Sequence, residues 1–339
     1  MLNPDAKLNP HLFDDDVAQA PTRNGYGEGL VAAGDANPNV VALCADLTES
    51  TRVEAFAKKF PERFFELGVA EQNMATVAAG LGTSGKVPFI SSYATFSPGR
   101  NWEQIRTTIA YNDANVKVAG HHAGISVGPD GATHQATEDI AIMRAMPRMR
   151  VHVPCDAIEA RKATIAAAQT WGPAYLRFQR EKTPIMTTEE TPYVPGKAEV
   201  FWLPGNGSGA RGAKKPDVLI VGCGGLVFHA LLAARTLEEE KISAAVLNVH
   251  TVKPLDEKTI VEWAKKAGAV VTVEEHQIVG GLGGAVAETL AAHAPTPIEF
   301  IGMHDTFGES GAPDELLKKY GMMPKDIIMA AKKAIRRKQ

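Results

Sequence analysis

A single glutamate opens an otherwise small and apolar segment of the chain, FFELGVAEQNMATVAAGL (residues 64–81). Met74, Ala78 and Leu81 recur at helical spacing, and Glu71 falls on the face that they define. A carboxylate directed into packed apolar surface costs free energy unless another group hydrogen-bonds it. The spacing leaves two interpretations open. Glu71 is either a buried functional carboxylate or a first-turn glutamate that the helix dipole favours and that bends into solvent.

Two further segments place aromatic and polar side chains directly after predicted strands. Tyr93 and Phe96 follow the strand VPFIS, and rings at this spacing either stack on a flat heterocycle or pack in the core. The glycine-rich loop GHHAGISVGPDGATHQ (residues 120–135) follows the strand VKVAG, at the kind of strand end where parallel sheets bind ligands. Its histidines lack the spacing of a metal motif, so we predict no metal site on this chain. The polar candidates of the loop are His121, His122, Asp130 and His134.

The elements that position these residues alternate between apolar strands and helices, which predicts parallel sheets covered on both faces. The predicted fold class is α/β, with two domains that each contain a mainly parallel β-sheet flanked by helices. A Pro- and Gly-rich stretch interrupts the alternation and predicts a linker or long loop. The predicted ranges are 17–190 for the first domain, 191–216 for the linker and 217–339 for the second domain.

Composition argues against several classes of function. The 339 residues carry a formal net charge of −3, which gives no electrostatic reason to expect binding to nucleic acid or to an anionic membrane. Cys44, Cys155 and Cys223 are too few and too scattered for a disulfide framework or a zinc site. No apolar run has the length of a membrane span, and the first residues lack a signal-peptide pattern. We therefore expect a cytoplasmic enzyme.

Five motifs, taken in order, resemble the transketolase family of thiamine diphosphate enzymes. GVAEQNM, YATF and GPDGATHQ are similar to the family's pyrimidine-binding domain, and VLNVHTVKPLD and VEEHQIVGGLGGAVAE to its C-terminal domain. The resemblance implies that Glu71 hydrogen-bonds N1′ of the cofactor's aminopyrimidine and promotes cofactor activation. It also implies that the pyrimidine stacks on Phe96 with Tyr93 beside it, and that Asp46 approaches the cofactor.

The same resemblance assigns substrate roles to residues at matching positions. It implies that three side chains bind the hydroxyls of a sugar donor and stabilise developing charge: His122, Asp130 and His134. His122 is preferred to His121 because it is reached by counting back from GPDGATHQ without a gap. Three others match positions that contact the phosphate end of a substrate: Arg23, Ser50 and Arg177. The role of His276 stays open, since it either lies near the site or caps a helix.

A motif that is missing predicts the architecture. The family also needs a domain that grips the diphosphate through a metal ion, marked by GDG and a later asparagine, and the sequence does not contain that pair. The chain therefore resembles the C-terminal subunit of a gene-split transketolase. The implied partner is an N-terminal subunit that supplies the diphosphate-binding domain and the ligands for Mg²⁺ or Ca²⁺, in an α2β2 heterotetramer. The implied reaction is two-carbon ketol transfer from a ketose phosphate to an aldose phosphate, as in the pentose phosphate pathway.

Departures from the family pattern keep alternatives open. Ala70-Glu71-Gln72 resembles 1-deoxy-D-xylulose-5-phosphate synthase more closely than many transketolases, whereas His122 is the transketolase-like residue. SPGR follows Phe96 where full-length enzymes carry a third aromatic residue. The beta subunit of a 2-oxoacid dehydrogenase is similar in size but lacks GPDGATHQ. A non-catalytic assembly subunit is a further alternative, and the intact catalytic motifs argue against it.

Overall fold

The computed structural model describes residues 1–205 and 215–338. Strands and helices alternate along both halves of the chain. The strands are β1 (Gln19–Pro21), β2 (Val40–Cys44), β3 (Phe64–Glu66), β4 (Val87–Tyr93), β5 (Lys117–His121), β6 (Arg150–His152), β7 (Ala174–Arg177), β8 (Lys182–Pro184), β9 (Glu199–Trp202), β10 (Val218–Gly222), β11 (Ala244–Asn248), β12 (Thr251–Lys253), β13 (Val270–Gln277) and β14 (Ile298–Met303). The helices are α1 (Thr22–Ala36), α2 (Glu54–Lys59), α3 (Glu71–Thr83), α4 (Trp102–Gln104), α5 (Asp139–Arg144), α6 (Ala157–Gln169), α7 (Val227–Glu239), α8 (Glu257–Ala267), α9 (Leu282–His293), α10 (Pro313–Lys319) and α11 (Pro324–Arg336).

Two sheets organise the molecule. The first has the strand order β12-β6-β7-β5-β4-β2-β3 and is parallel except for β12. The second has the order β14-β13-β10-β11-β9 and is parallel except for β9. A short antiparallel ribbon joins β1 to β8. The predicted α/β class, with two mainly parallel sheets flanked by helices, is confirmed.

The central strands are covered on both faces. Every residue of β2, β5, β7, β10 and β11 is buried, as expected for parallel strands that lie between two layers of helices. On one face of the first sheet α1 packs directly against α6. A Cβ at Gly25 would lie 1.8 Å from the carbonyl oxygen of Ala157, so this close contact between the two helices requires glycine.

The predicted linker, residues 191–216, is partly a strand. The segment EVFW forms β9, which pairs antiparallel with β11 at the edge of the second sheet and buries Phe201 and Trp202. The flanking Pro and Gly residues obscured this short aromatic strand, whose burial depends on a distant partner. The glycine-rich part of the predicted linker, residues 206–214, lies outside the described residues.

Two segments also cross the predicted domain boundaries. β12 follows β11 in the chain but pairs antiparallel with β6, so it belongs to the first sheet. The N-terminal residues pack on the second domain, where Leu8 and Leu12 enter the core and the Asn3 amide donates to the Phe201 carbonyl oxygen at 2.9 Å. Both segments therefore add contacts between the parts of the chain that contain the two sheets. Neither half of the described chain contains a helix that is both long and apolar enough to cross a membrane.

Candidate active site

The candidate residues gather at the carboxyl end of the first sheet. Here β2, β4 and β5 end side by side, and the loop that follows β4 contacts the first residue of α3. Parallel strands bring their carboxyl ends to one edge of a sheet, which is why residues far apart in sequence meet here. The loop after β5 contains a distorted 3₁₀ turn, Ile125–Asp130, and its glycines Gly124, Gly128 and Gly131 have φ values of 92°, 80° and 76°.

Glu71 is the first residue of α3, and its side chain is 1% exposed. The carboxylate is therefore buried rather than bent into solvent. Arg100 supplies its charge partner, because the Nη1 atom of Arg100 donates to Oε2 of Glu71 at 2.6 Å. Asn101 fixes the neighbouring backbone, since its Nδ2 atom donates to the Glu71 carbonyl oxygen at 3.0 Å. A buried carboxylate is thus held at a helix N-terminus, where the helix dipole also favours negative charge.

Four rings form a continuous surface beside Glu71. Tyr93 stacks on His122 with their centroids 3.9 Å apart, and its ring lies 5.9 Å from Phe96 at an interplanar angle of 20°. His134 meets Phe96 edge-on at 5.4 Å. The guanidinium of Arg100 covers Phe96, with its central carbon 4.9 Å from the ring centroid. A chain of ring contacts therefore connects the Glu71–Arg100 pair to His122.

His122 and its chain neighbour His121 point to opposite sides. His121 is fully buried against Tyr26 and Phe178, with ring centroids 4.8 and 5.2 Å away, and it belongs to the core. His122 has a φ of 52°, a left-handed conformation that is uncommon for a non-glycine residue and that often marks a functional site. The structure therefore separates a core histidine from one that joins the candidate site.

The protonation state of His122 follows from its neighbours. Burial, reinforced by Arg23 and Arg180, lowers the pKa of His122 to about 3, so the ring is neutral near pH 7. Its Nε2 atom lies 3.3 Å from Nη1 of Arg23, and because a guanidinium can only donate, Nε2 is the acceptor. The ring hydrogen must then be on Nδ1. Within the described residues this buried Nδ1 has no hydrogen-bond partner, so it is a donor available to an acceptor that the chain itself does not provide.

Arg23 contacts His122, and Arg52 and Arg180 are near enough for their charges to lower its pKa. Burial lowers the pKa of Arg23, and repulsion from Arg52 and Arg180 lowers it further, which places the three guanidiniums in one electrostatic cluster. Arg23 donates through Nη1 to the Ser50 carbonyl oxygen at 2.9 Å, while its buried Nε has no partner in the described part of the chain. The planar guanidinium of arginine can donate two parallel hydrogen bonds to the oxygens of a phosphate, sulfonate or carboxylate group. We call this set, Arg23, Arg52 and Arg180, the arginine cluster.

Asp130, Ser50 and Asp46 border the arginine cluster or the loop next to it. Asp130 is 35% exposed, with Oδ2 3.6 Å from Nη1 of Arg180. Ser50 contacts Arg23 through its backbone, as described above. Asp46 has a φ of 59°, and its amide donates to Glu66 at 2.7 Å. The loop from Asp46 to Ser50 lines a cavity of about 290 Å³.

The structure buries Arg177, one of the three residues for which the resemblance implies contact with the phosphate end of a substrate. Its side chain is 3% exposed, and it is a buried ion-pair partner: Nε donates to Asp139 Oδ2 at 2.7 Å, and Nη2 donates to the Glu275 carbonyl oxygen at 2.8 Å. Burial lowers the pKa of this arginine, but the attraction of Asp139 outweighs it and the net shift is upward. Arg180, three residues later in YLRFQR, supplies the guanidinium that lies near His122.

The comparisons with known proteins identify the family of the chain. Residues 18–186 match the family description "Transketolase, pyrimidine binding domain", and residues 207–327 match "Transketolase, C-terminal domain". A protein of Methanocaldococcus jannaschii named "Putative transketolase C-terminal section" is 46% identical over 88% of this chain and 92% of its own length. The chain belongs to the transketolase family.

Other relatives of this transketolase-family chain are also subunits or halves. A Clostridium protein named "6-deoxy-6-sulfo-D-fructose transketolase subunit SqwH" is 39% identical over 93% of this chain and 95% of its own length. A solved structure titled "Split gene transketolase, inactive beta4 tetramer" superposes with a TM-score of 0.85 at 45% identity, covering 94% of this chain and 99% of that one. By contrast, the match spans only 48% of mouse transketolase.

His276, whose role the sequence left open, lies between the two domains. It is fully buried; its Nδ1 is 2.7 Å from the Gln277 carbonyl oxygen, and its Nε2 accepts from the Ala141 amide at 3.3 Å. These contacts join β13 to α5 and do not involve the site residues described above.

Sequence reasoning missed three cations of the site: Arg52, Arg100 and Arg180. Arg180 had a usable signal, because it follows the end of β7, where a side chain can reach the edge of the sheet, whereas Arg177 is inside the strand. In the sequence, Arg100 is the last residue of SPGR, the segment that stands where full-length enzymes carry a third aromatic residue. No sequence pattern pairs it with Glu71, because that contact depends on how the loop after β4 folds back onto α3.

Proposed function

We propose that this chain is the C-terminal subunit of a two-chain transketolase, which transfers a two-carbon ketol unit from a ketose phosphate to an aldose phosphate. One observation carries the proposal: a chain of contacts runs from the buried Glu71 through Arg100, Phe96 and Tyr93 to His122 and Arg23. A carboxylate and stacked rings suit a flat heterocyclic cofactor, and a neutral histidine beside guanidiniums suits a hydroxylated anion.

Thiamine diphosphate is the cofactor that the family uses, and the residues present fit its pyrimidine half. When bound, it would supply the electron sink that lets a carbon–carbon bond of a ketose break. Glu71 would hold a proton between its carboxylate and the pyrimidine N1′, and Phe96 would offer the ring face against which the pyrimidine stacks. No group of three potential metal ligands occurs within residues 1–205 or 215–338. We propose that the ligands for Mg²⁺ or Ca²⁺ come from the partner chain.

The substrate residues would act on the sugar's oxygens. His122, neutral and protonated on Nδ1, would donate to a donor oxygen that becomes more negative during the reaction, and its buried setting strengthens that hydrogen bond. His134 and Asp130 would orient neighbouring hydroxyls. The arginine cluster would hold the anionic end of the sugar. A sulfonate has the same charge-bearing oxygens, and the relative named for 6-deoxy-6-sulfo-D-fructose supports this second donor class.

The relatives' names support a partner chain. Two of them are named a section or a subunit, and the solved structure is titled split gene and inactive as a beta4 tetramer. We propose an N-terminal subunit that brings the diphosphate-binding domain, in an α2β2 assembly, and we expect Asp46 to approach the cofactor across that interface. Glu71, Phe96 and His134 are all present, which favours catalysis over a purely structural role.

Ketol transfer between xylulose 5-phosphate and ribose 5-phosphate tests the proposal. The assay is run with thiamine diphosphate and Mg²⁺, first with this chain alone and then with the N-terminal subunit encoded beside it. We expect turnover only in the mixture. If the mixture turned over 6-deoxy-6-sulfo-D-fructose but not xylulose 5-phosphate, the sulfonated donor would be the substrate. Turnover by this chain alone, or by neither sample with either donor, would contradict the two-chain assignment.

A further inference from the structure

Arg100 contacts both side chains that the cofactor is expected to use. Its Nη1 atom donates to the Glu71 carboxylate at 2.6 Å, and its guanidinium covers Phe96 with the central carbon 4.9 Å from the ring centroid. In the proposed function, the pyrimidine needs the Glu71 carboxylate for N1′ and a face of Phe96 for stacking. One flat cationic group therefore makes the two kinds of contact that the flat pyrimidine ring would make.

We propose that Arg100 is a positioning residue that holds Glu71 and Phe96 in place and is displaced by the pyrimidine of thiamine diphosphate. This proposal rests on the proposed function, since it concerns the same cofactor. It adds a cost to cofactor binding, because the ion pair must open before Glu71 can bind N1′. It also gives the buried Glu71 a partner whenever the pyrimidine is not bound.

The backbone below Arg100 is fixed by hydrogen bonds, while its side chain is partly open to solvent. The Arg100 amide donates to the Phe96 carbonyl oxygen at 2.9 Å, and Asn101 is hydrogen-bonded to the Glu71 backbone. Gly99 has no room for a side chain, because a Cβ there would lie 2.0 Å from the Thr95 carbonyl oxygen. By contrast the Arg100 side chain is 47% exposed, so solvent is open to it on one side. It can swing outward and exchange the Glu71 contact for water without disturbing the loop.

The negative charge of the cofactor allows displacement of Arg100 to be distinguished from electrostatic attraction between Arg100 and the diphosphate. Thiamine diphosphate carries an anionic diphosphate, so loss of a nearby positive charge should by itself weaken binding. Displacement predicts the opposite sign: once Arg100 is removed, the cofactor no longer competes for Glu71 and Phe96. The direction of the change in Kd therefore distinguishes a residue that must be displaced from a residue that binds the cofactor.

The test is calorimetric titration of thiamine diphosphate, with Mg²⁺ present, into the complex of this chain with its N-terminal subunit. The variants are Arg100→Met, which keeps length and removes the charge, and Arg100→Lys, which keeps the charge but loses the flat fork. We expect Arg100→Met to bind about three- to tenfold tighter than the wild type, in line with the modest strength of a half-exposed ion pair. Arg100→Lys should fall between the two. The matched control is Arg106→Met, an exposed arginine nearby that contacts neither Glu71 nor Phe96, and it should bind no tighter than the wild type.

Thermal unfolding gives a second readout that does not depend on activity. Without cofactor, the Arg100→Met complex should melt below the wild type because Glu71 loses its partner, and saturating cofactor should raise its Tm more than that of the wild type. Equal or weaker binding by Arg100→Met would overturn the proposal, and a loss of affinity larger than that of Arg106→Met would make Arg100 a cofactor ligand. If no complex, wild-type or variant, bound thiamine diphosphate, the proposed function itself would fail.

Discussion

Arg177 and Arg180 lie three residues apart in the same segment, yet they occupy opposite environments. Arg177 is 3% exposed, and its Nε and Nη2 atoms donate to the carboxylate of Asp139. Tyr175 donates to the same carboxylate at 2.6 Å. Arg180 is 30% exposed; its Nη1 atom donates to the Val127 carbonyl oxygen at 2.8 Å, and its two carboxylate neighbours are farther away, Asp130 at 3.6 Å and Glu181 at 3.7 Å. Arg177 is held by a buried carboxylate, whereas Arg180 has a backbone acceptor, two carboxylates beyond hydrogen-bond distance and like-charged neighbours.

The difference is between polar groups that the chain itself satisfies and polar groups that a ligand would satisfy. A protein normally satisfies its buried polar groups, and the Arg177 pair follows that rule. Near Arg180 the described chain leaves Nε of Arg23 and Nδ1 of His122 without partners, and it concentrates three guanidiniums. Such an arrangement is costly unless something outside the chain supplies acceptors. We infer that the Arg177 ion pair joins the two domains and that the arginine cluster binds an anionic ligand.

The largest expected effect follows from the substitution Glu71→Gln in the two-chain complex. The amide keeps the size of the side chain but cannot exchange a proton with the cofactor, so kcat should fall by about 10²- to 10⁴-fold. Steady-state ketol transfer measures kcat, and circular dichroism should show an unchanged fold. Glu103→Gln, an exposed glutamate beside the same loop, is the control and should keep normal turnover. Near-normal kcat in Glu71→Gln would exclude Glu71 from cofactor activation.

A second effect contrasts the carboxylates that face the two arginines. Asp139→Asn leaves Arg177 as an uncompensated buried charge and should lower the free energy of unfolding by about 3–5 kcal/mol. Asp130→Asn removes a partly exposed partner at 3.6 Å and should cost less than about 1 kcal/mol. Urea unfolding of both variants measures the difference. Similar losses from the two substitutions would remove the structural basis of the comparison.

The smallest expected effect is on the pH dependence of the free energy of unfolding. Because burial lowers the pKa of His122 to about 3, the unfolded chain binds more protons than the folded chain between that pH and the ordinary histidine value of 6.5. The stability from a neutral His122 is therefore fully present above pH 6.5 and is lost as the pH falls toward 3. His122→Gln should make the decline in unfolding free energy between pH 6.5 and 5 shallower, by at most about 1.4 kcal/mol per pH unit. The same slope in the variant and the wild type would show that His122 is not held neutral by burial.

The sequence predicts most of the fold because its elements have local signals. The apolar strand runs, the helices between them and the buried β2, β4 and β5 all follow from patterning, and the order of motifs identifies the family. Three features depend on distant partners and escaped prediction: β9 inside the predicted linker, β12 in the first sheet, and the N-terminal residues in the second core. Short segments of this kind are stabilised by tertiary contacts rather than by their own propensity.

The sequence predicts some residues of the candidate site better than others. Glu71, Phe96 and His122 have motif neighbours, and the structure brings them onto one surface. The motif itself does not separate Arg177 from Arg180; the sequence signal that does so is the position of Arg180 past the end of β7. The Arg100 contact depends on the path of one loop, which no spacing rule describes.

The most direct measurement of the central claim uses Arg177→Met and Arg180→Met side by side in the two-chain complex. For each variant we would measure the free energy of unfolding and kcat/KM for xylulose 5-phosphate. Arg177→Met should lose about 3–5 kcal/mol of stability. Arg180→Met should stay within about 1 kcal/mol of the wild type. It should lose about 10- to 100-fold in kcat/KM, the size of a charged hydrogen bond to the substrate. If Arg180→Met unfolded as easily as Arg177→Met and kept normal kcat/KM, the division between a structural and a ligand-binding arginine would be wrong.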